Sequence, residues 1–145
     1  MLFLFVPMVS AAAPAAPGWL GPYDAVREEL VKDHAKEAAA AANLLVPTLP
    51  DQDVKDAAGR VAAAQDLAAM RTAFGELSKL LIVHAASGAE PYALPAGTPI
   101  FHCSMTTCYG YWLQDESRIG NPFEGQAMPR CGEKSSVQAA LAAGG

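Results

Sequence analysis

The longest periodic stretch of the sequence runs from residue 67 to residue 84, and it constrains the fold most strongly. Its apolar positions and one histidine alternate steps of three and four; they are Leu67, Met70, Phe74, Leu77, Leu81 and His84. Residues at these spacings share one face of an α-helix, and such a face packs against other helices. Asp66 is suited to cap this helix, and Ser87-Gly88 with Pro91 ends it. The pattern predicts a helical bundle.

Two further helices are expected upstream. In the first, apolar positions recur at spacings of three, four or their sums; they are Tyr23, Val26, Leu30, Ala38, Ala41 and Leu45. Pro22 suits the start of this helix, and Pro47 prevents its continuation. The second helix begins at Asp51 or Asp53, either of which could cap it, and runs to about Ala64. The predicted fold class is mainly α, a small bundle of about three helices.

The core of this bundle is expected to be thin. The chain has 145 residues, of which 52% are hydrophobic, which is enough for one domain. Alanine is very abundant, and it favours helix while adding little core volume. A covalent or metal cross-link would therefore help the fold. The net charge of −5 leaves no basic field, so nucleic acid is not an expected partner.

The N-terminal segment has the pattern of an export signal. Residues 1–9 are apolar (MLFLFVPMV) and lead into small residues at 10–13, which allows cleavage near Ala11 to Ala13, although no Lys or Arg precedes them. The apolar stretch is too short to span a bilayer, and the alternative is a buried N-terminal strand. We expect a periplasmic or otherwise exported protein with no membrane span in its mature chain. The expected organisation is a signal-peptide-like segment (1–13), a flexible linker (14–21), a single helical domain (22–133) and a tail (134–145).

The composition changes from Pro91 onward. Prolines and glycines break helix, and every cysteine of the protein lies between positions 103 and 131. We expect short strands or an irregular hairpin near Ile100 to Leu113, followed by turns. The aromatic residues that would pack this segment on the bundle are Tyr111, Trp112 and Phe123. The sequence thus predicts a Cys/Met motif at 100–132, folded onto the helices.

Four sulfur side chains of this motif form a candidate metal site: Cys103, Met105, Met128 and Cys131. Thiolates and thioethers are soft ligands, and a mixed set of them favours Cu(I), with Ag(I) as the similar alternative. Zinc favours Cys and His at tighter pair spacings and does not recruit methionine. His102 could add an imidazole, although neighbours in an extended segment point to opposite sides.

A disulfide is the alternative for the same residues. In an oxidising compartment Cys103 and Cys131 would form a bond worth about 3.5 kcal/mol on the chain-entropy model. Both methionines would then be core filler. Cys108 is the odd cysteine, and it could be a third ligand, compete for pairing or stay a free thiol.

The other histidines are weaker metal candidates. His84 lies on the apolar face of the third helix, and His34 lies four residues after Leu30. Histidines on bundle faces are more often hydrogen-bonded packing residues than ligands. Catalysis has little support, because adjacent His102 and Cys103 rarely present their side chains to each other and no phosphate-binding glycine loop is present. We expect a protein that is not an enzyme.

Several runs resemble one known family. The C-terminal runs are FHCSM (101–105), GYWL (110–113), IGNPFEG (119–125) and MPRCG (128–132), and MRTAFGELS (70–78) lies upstream. Together they resemble an uncharacterised bacterial periplasmic domain family, the domain of unknown function 3347. That family typically shows C-P-M, then W-L-S, then I-x-N-P-Y-x-G-x-x-M-x-x-C-G. The resemblance covers roughly Tyr23 to Gly132, and Ser104 stands where the family has proline.

The resemblance carries functional implications. Members of the family occur free-standing and at the ends of CusB-type heavy-metal efflux adaptors. It therefore implies copper or silver handling, with an efflux adaptor or a copper carrier as partner, by association. The function expected is an exported Cu(I)-binding protein acting in copper resistance, sequestration or transfer. The alternative is a disulfide-stapled periplasmic interaction module, accessory to an efflux system and without a metal of its own.

Overall fold

Helices dominate the architecture. The computed structural model describes residues 7–8, 15–114 and 118–145. Within these ranges there are five α-helices: α1 (Leu20–Val31), α2 (Ala35–Leu45), α3 (Gln52–Ala63), α4 (Leu67–Ala86) and α5 (Val137–Gly144). Short 3-10 helices span Val46–Thr48 and Gly125–Ala127. The mainly α class is confirmed, with five helices in place of about three. The signal-peptide-like segment predicted at 1–13 lies outside the described residues, apart from 7–8.

The fourth helix matches the sequence prediction closely. Four of the predicted face residues are buried, namely Met70, Phe74, Leu77 and Leu81. The Asp66 carboxylate accepts a hydrogen bond from the Ala69 amide at 2.8 Å, so the expected cap is present. His84, at the end of the predicted face, is only half-buried.

The first predicted helix is in fact two helices, and that prediction is wrong at its centre. Asp33 adopts a positive φ of 61°, which ends α1 and turns the chain before α2. Aspartate is one of the few residues that tolerate this conformation. Its carboxylate accepts hydrogen bonds from Arg71 and from the Gln126 amide. These partners, which are distant in the sequence, stabilise the break between the two helices. No glycine or proline near position 33 indicates the break in the sequence.

Both ends of the described chain contribute to the fold. Trp19, inside the predicted linker, is buried, and its indole Nε1 donates to the Pro91 carbonyl at 3.3 Å. Residues 134–145, predicted as a tail, complete a strand and form α5. Ala140 of α5 is fully buried, and the Tyr109 hydroxyl donates to its carbonyl at 2.7 Å. Small residues let this last helix lie close against α4.

The cysteine motif is built on a small antiparallel sheet. Its strands are β1 (Ile100–His102), β2 (Tyr111–Leu113) and β3 (Glu133–Ser135), in the spatial order β2-β1-β3. His102 at the end of β1 pairs with Tyr111 on one side and with Glu133 on the other. Residue 103, which follows β1, therefore lies beside the segment that leads into β3.

Aromatic rings join this sheet to the helices. Trp112 of β2 is fully buried and meets Phe123 with 5.9 Å between ring centroids. The ring centroids of Phe123 and Phe74 of α4 are in turn 6.0 Å apart. The expected packing role is confirmed for Trp112 and Phe123, whereas Tyr111 stacks on His102 at 4.1 Å.

Candidate functional site

Cys103 and Cys131 meet at the end of the sheet. Cys103 follows β1, Cys131 lies two residues before β3, and the pairing of these strands brings them together. Their sulfur atoms are 2.7 Å apart, although 28 positions separate them in the sequence. Cys103 is buried, and Cys131 is partly exposed. Two of the four predicted sulfur ligands are therefore in direct contact.

Backbone hydrogen bonds fix the position of each cysteine. The Cys103 amide donates to the Gly110 carbonyl at 3.0 Å, which closes the loop between β1 and β2. Gly110 has a φ of 78°, and a Cβ there would lie 2.9 Å from the Cys103 oxygen. Only glycine fits such a position without strain. Cys131 is held by its amide, which donates to the Met128 carbonyl at 3.2 Å.

Asn121 anchors the Cys131 segment from inside. Its side chain is fully buried, and its Nδ2 donates to the Cys131 carbonyl at 2.8 Å. Its Oδ1 accepts from the amides of Phe123 at 2.8 Å and Glu124 at 3.1 Å. One amide side chain thus joins the two ends of the turn between residues 121 and 131. The sequence pattern alone does not indicate this anchoring role of Asn121.

Arginines from the bundle hold the same segment from outside. Arg27 of α1 is buried and donates to the Gly120 carbonyl at 3.2 Å. Arg71 of α4 donates to the Pro122 carbonyl at 2.9 Å and to the Leu30 carbonyl at 2.9 Å. Sequence reasoning misses both, since a charged helix residue looks like a solvated position until its burial is known.

The Cys131 thiol has a raised pKa. The pKa of Cys131 is raised to about 11, first by the hydrogen bond with Cys103, then by burial, and then by the charges of Cys103 and Glu124. The Met105 backbone N–H acts in the opposite direction, because it donates to the Cys131 sulfur. The Cys131 thiol therefore keeps its proton at neutral pH.

An open groove gives access to the pair. It has a volume of about 250 Å³ and is lined by His102, Cys103, Ser104, Cys131, Gly132 and Glu133. His102 therefore lies beside the cysteines, as the sequence analysis considered, with its ring stacked on Tyr111. A ligand or a partner thiol can approach the sulfurs from this side.

The two methionines are placed differently. Met105 is 65% exposed and lines a neighbouring cavity together with Cys108 and Thr72. Met128 is half-buried at the end of the 3-10 helix. Among the described residues, neither methionine lines the groove at the cysteine pair. The four-sulfur set stays a prediction, since only its two thiols are in contact.

The thiol separation can be compared with that of a metal site. Two sulfurs that bind one tetrahedral ion at about 2.3 Å lie about 3.8 Å apart, and lower coordination numbers place them farther apart. The observed 2.7 Å is shorter by about an ångström. The donor chemistry fits a soft ion, and binding one would require a wider separation of the two sulfurs.

The weaker candidates have separate partners. The Cys108 sulfur lies 3.7 Å from the Thr72 hydroxyl. His34 is exposed, and its Nδ1 lies 2.9 Å from Glu29 Oε2. His84 Nε2 lies 3.1 Å from Asp53 Oδ2, on the neighbouring helix. His34 and His84 thus do not share a partner. The sequence suggests Asp53 as a helix cap and does not indicate that it lies beside His84.

Comparison with known proteins finds no match to a protein family, to curated proteins or to solved structures. Within the described ranges, no helix combines the length and the apolar character needed to cross a membrane.

Proposed function

We propose that this protein is an exported soft-metal binder, with Cu(I) as its cargo, acting in copper resistance, sequestration or transfer. The observation that supports this most is the convergence of Cys103 and Cys131 at one open groove, although 28 positions separate them in the sequence. Two thiols presented together are the soft donors that Cu(I) prefers. The export pattern of residues 1–13 and the resemblance to a metal-associated family support the same proposal.

Binding exchanges protons for the ion. The pKa of Cys131 is raised to about 11, so this thiol is protonated before the metal arrives. Cu(I) displaces that proton, and its apparent affinity therefore increases with pH. The Met105 amide that already donates to the Cys131 sulfur offsets part of the thiolate charge.

The methionines complete the site in this proposal. Met105 lies in the loop that must open to widen the sulfur separation, and its side chain is largely exposed and therefore free to turn. Met128 is three residues from Cys131, within the turn that Asn121 holds. Thioethers bind Cu(I) without deprotonation and add ligands at neutral pH. The resulting low-coordinate site exchanges its ion with the thiol of a partner, an efflux adaptor or a copper carrier.

A second candidate function is favoured by the same contact. The separation of 2.7 Å is shorter than two sulfurs on one ion require, which suits oxidation of Cys103 and Cys131 to a disulfide. That bond would stabilise the fold by about 3.5 kcal/mol on the chain-entropy model. The protein would then be a disulfide-stapled interaction module of an efflux system, with no metal of its own.

A Cu(I) titration separates these two functions. The reduced, signal-free protein is titrated under anaerobic conditions against a chromophoric chelator, together with Cys103→Ser, Cys131→Ser and Met128→Leu variants. We expect one-to-one binding that each cysteine change abolishes and that Met128→Leu weakens. Cys108→Ser is the matched control and should bind like the wild type.

Two results would reject metal binding. One is failure of the reduced wild type to compete with the chelator. The other is equal binding by the Cys103→Ser and Cys108→Ser variants. If mass spectra of the native protein then contain the Cys103–Cys131 bond, the interaction module is the better description.

A further inference from the structure

A second group of metal-ligating side chains lies at the start of α3 and the end of α4. Asp51, Asp53 and His84 each offer one ligand atom, and these atoms all lie within 4.8 Å of one another. The closest pair is Asp53 Oδ2 and His84 Nε2, 3.1 Å apart. Two carboxylates and one imidazole therefore converge from two helices that pack side by side.

The Asp51 side chain belongs to this group and does not cap the helix. It occupies the N-cap position of α3, yet its side chain makes no capping hydrogen bond. An aspartate in this position normally accepts from an amide of the first turn. Here its Oδ2 accepts from the Tyr92 hydroxyl at 2.6 Å. The carboxylate is thereby directed toward His84, which stacks on the same tyrosine.

Tyr92 positions two members of the group at once. Its ring lies parallel to the His84 imidazole, with 4.3 Å between centroids and 13° between planes. Burial, followed by the hydrogen bond and the charge of Asp51, raises the pKa of Tyr92, so its hydroxyl stays protonated and donates. Side chains that orient ligands in this way are characteristic of metal sites.

The charge of the group also favours a cation. Within the described part of the chain, neither Asp51 nor Asp53 forms an ion pair with a lysine or an arginine. Asp53 pairs only with His84, whose side chain is 31% exposed, and Asp53 itself is 51% exposed. The two carboxylates therefore have only one imidazole nearby to balance their negative charge, and the group is accessible to water and ions.

We propose that Asp51, Asp53 and His84 bind a divalent ion of the first transition series, of the Zn²⁺ class. Imidazole and carboxylate together suit such an ion, whereas Ca²⁺ and Mg²⁺ favour oxygen ligands alone. The ion replaces the hydrogen bond between Asp53 and His84, and water fills its remaining positions. This site does not depend on the thiol pair and is distinct from the proposed Cu(I) function.

A Zn²⁺ titration tests this site once the thiols are removed. The full chain carrying Cys103→Ser, Cys108→Ser and Cys131→Ser is titrated with Zn²⁺ against a chromophoric chelator, and circular dichroism checks that it is folded. Adding His84→Ala should weaken binding at least tenfold. The matched control is His34→Ala. His34 also pairs with a carboxylate, Glu29, at 2.9 Å, but among the described residues it belongs to no such group of three ligands. Equal loss in both variants, or no binding by the parent, would overturn the proposal.

A second measurement uses the unaltered chain, so that it does not depend on the folding of the variant. Mn²⁺ has little affinity for thiols and broadens the NMR signals of nearby nuclei. We expect selective broadening of the amides of residues 51–54 and of the His84 ring, and none at His34. Broadening that is absent, or uniform over the acidic surface, would contradict a site at this position.

Discussion

Replacing Asn121 by alanine should cost about 3 kcal/mol of unfolding free energy in the reduced protein. The change removes the hydrogen bonds of Asn121 to the Cys131 carbonyl and to the amides of Phe123 and Glu124. A hydrogen bond contributes about 1 kcal/mol net, and a buried partner left without one costs more. Because the Asn121 side chain is fully buried, water cannot easily replace these contacts.

Urea unfolding followed by circular dichroism measures this loss, with the transition midpoint falling at an unchanged slope. Asn43→Ala is the matched control, since Asn43 is exposed on α2 and its replacement should change the unfolding free energy by less than about 0.5 kcal/mol. Alkylation of Cys131 should also become faster, because its segment loses the anchor. A loss below about 1 kcal/mol, with unchanged alkylation, would refute the assigned anchoring role.

Two further predictions concern the loop between β1 and β2 and the thiol pair. Gly110→Ala should destabilise by about 2 kcal/mol or more, because it combines a positive φ of 78° with close contacts of the new Cβ. Gly59→Ala, in open space within α3, should instead stabilise by up to about 1 kcal/mol in the same urea assay. The rate of Cys131 alkylation should keep rising up to about pH 11, because its raised pKa limits thiolate formation below that. In Cys103→Ala the profile should move to lower pH, since the hydrogen bond with Cys103, the largest cause of the shift, is removed, and an unmoved profile would contradict that cause.

The helical parts were predictable where local signals and the core agree. The face that includes Phe74 and Leu81, and the cap at Asp66, follow from spacing and residue type alone, and the structure has both. The break at Asp33 was not predictable in this way. Its positive φ depends on Arg71 and Gln126, which are distant in the sequence, and the apolar spacing continues across it.

The candidate sites were predictable only in part for the same reason. The grouping of cysteines between 103 and 131 suggests that two of them meet, and strand pairing brings Cys103 and Cys131 together. The exposed orientation of Met105 depends on the loop around it, which spacing does not encode. Asp51 occupies the expected N-cap position of α3, but its side chain bonds Tyr92 instead of a helix amide, and the position of Tyr92 is set by tertiary packing.

The ties between the helices and residues 119–126 have a consequence for transplanting the motif. Arg27 and Arg71 hold the carbonyls of Gly120 and Pro122, and Asp33 receives the Gln126 amide. The conformation of the cysteine segment thus depends on side chains that precede it by dozens of positions in the sequence. A graft of residues 100–132 onto another scaffold would carry the sulfurs without their spacing, unless Arg27, Asp33 and Arg71 were rebuilt beneath it.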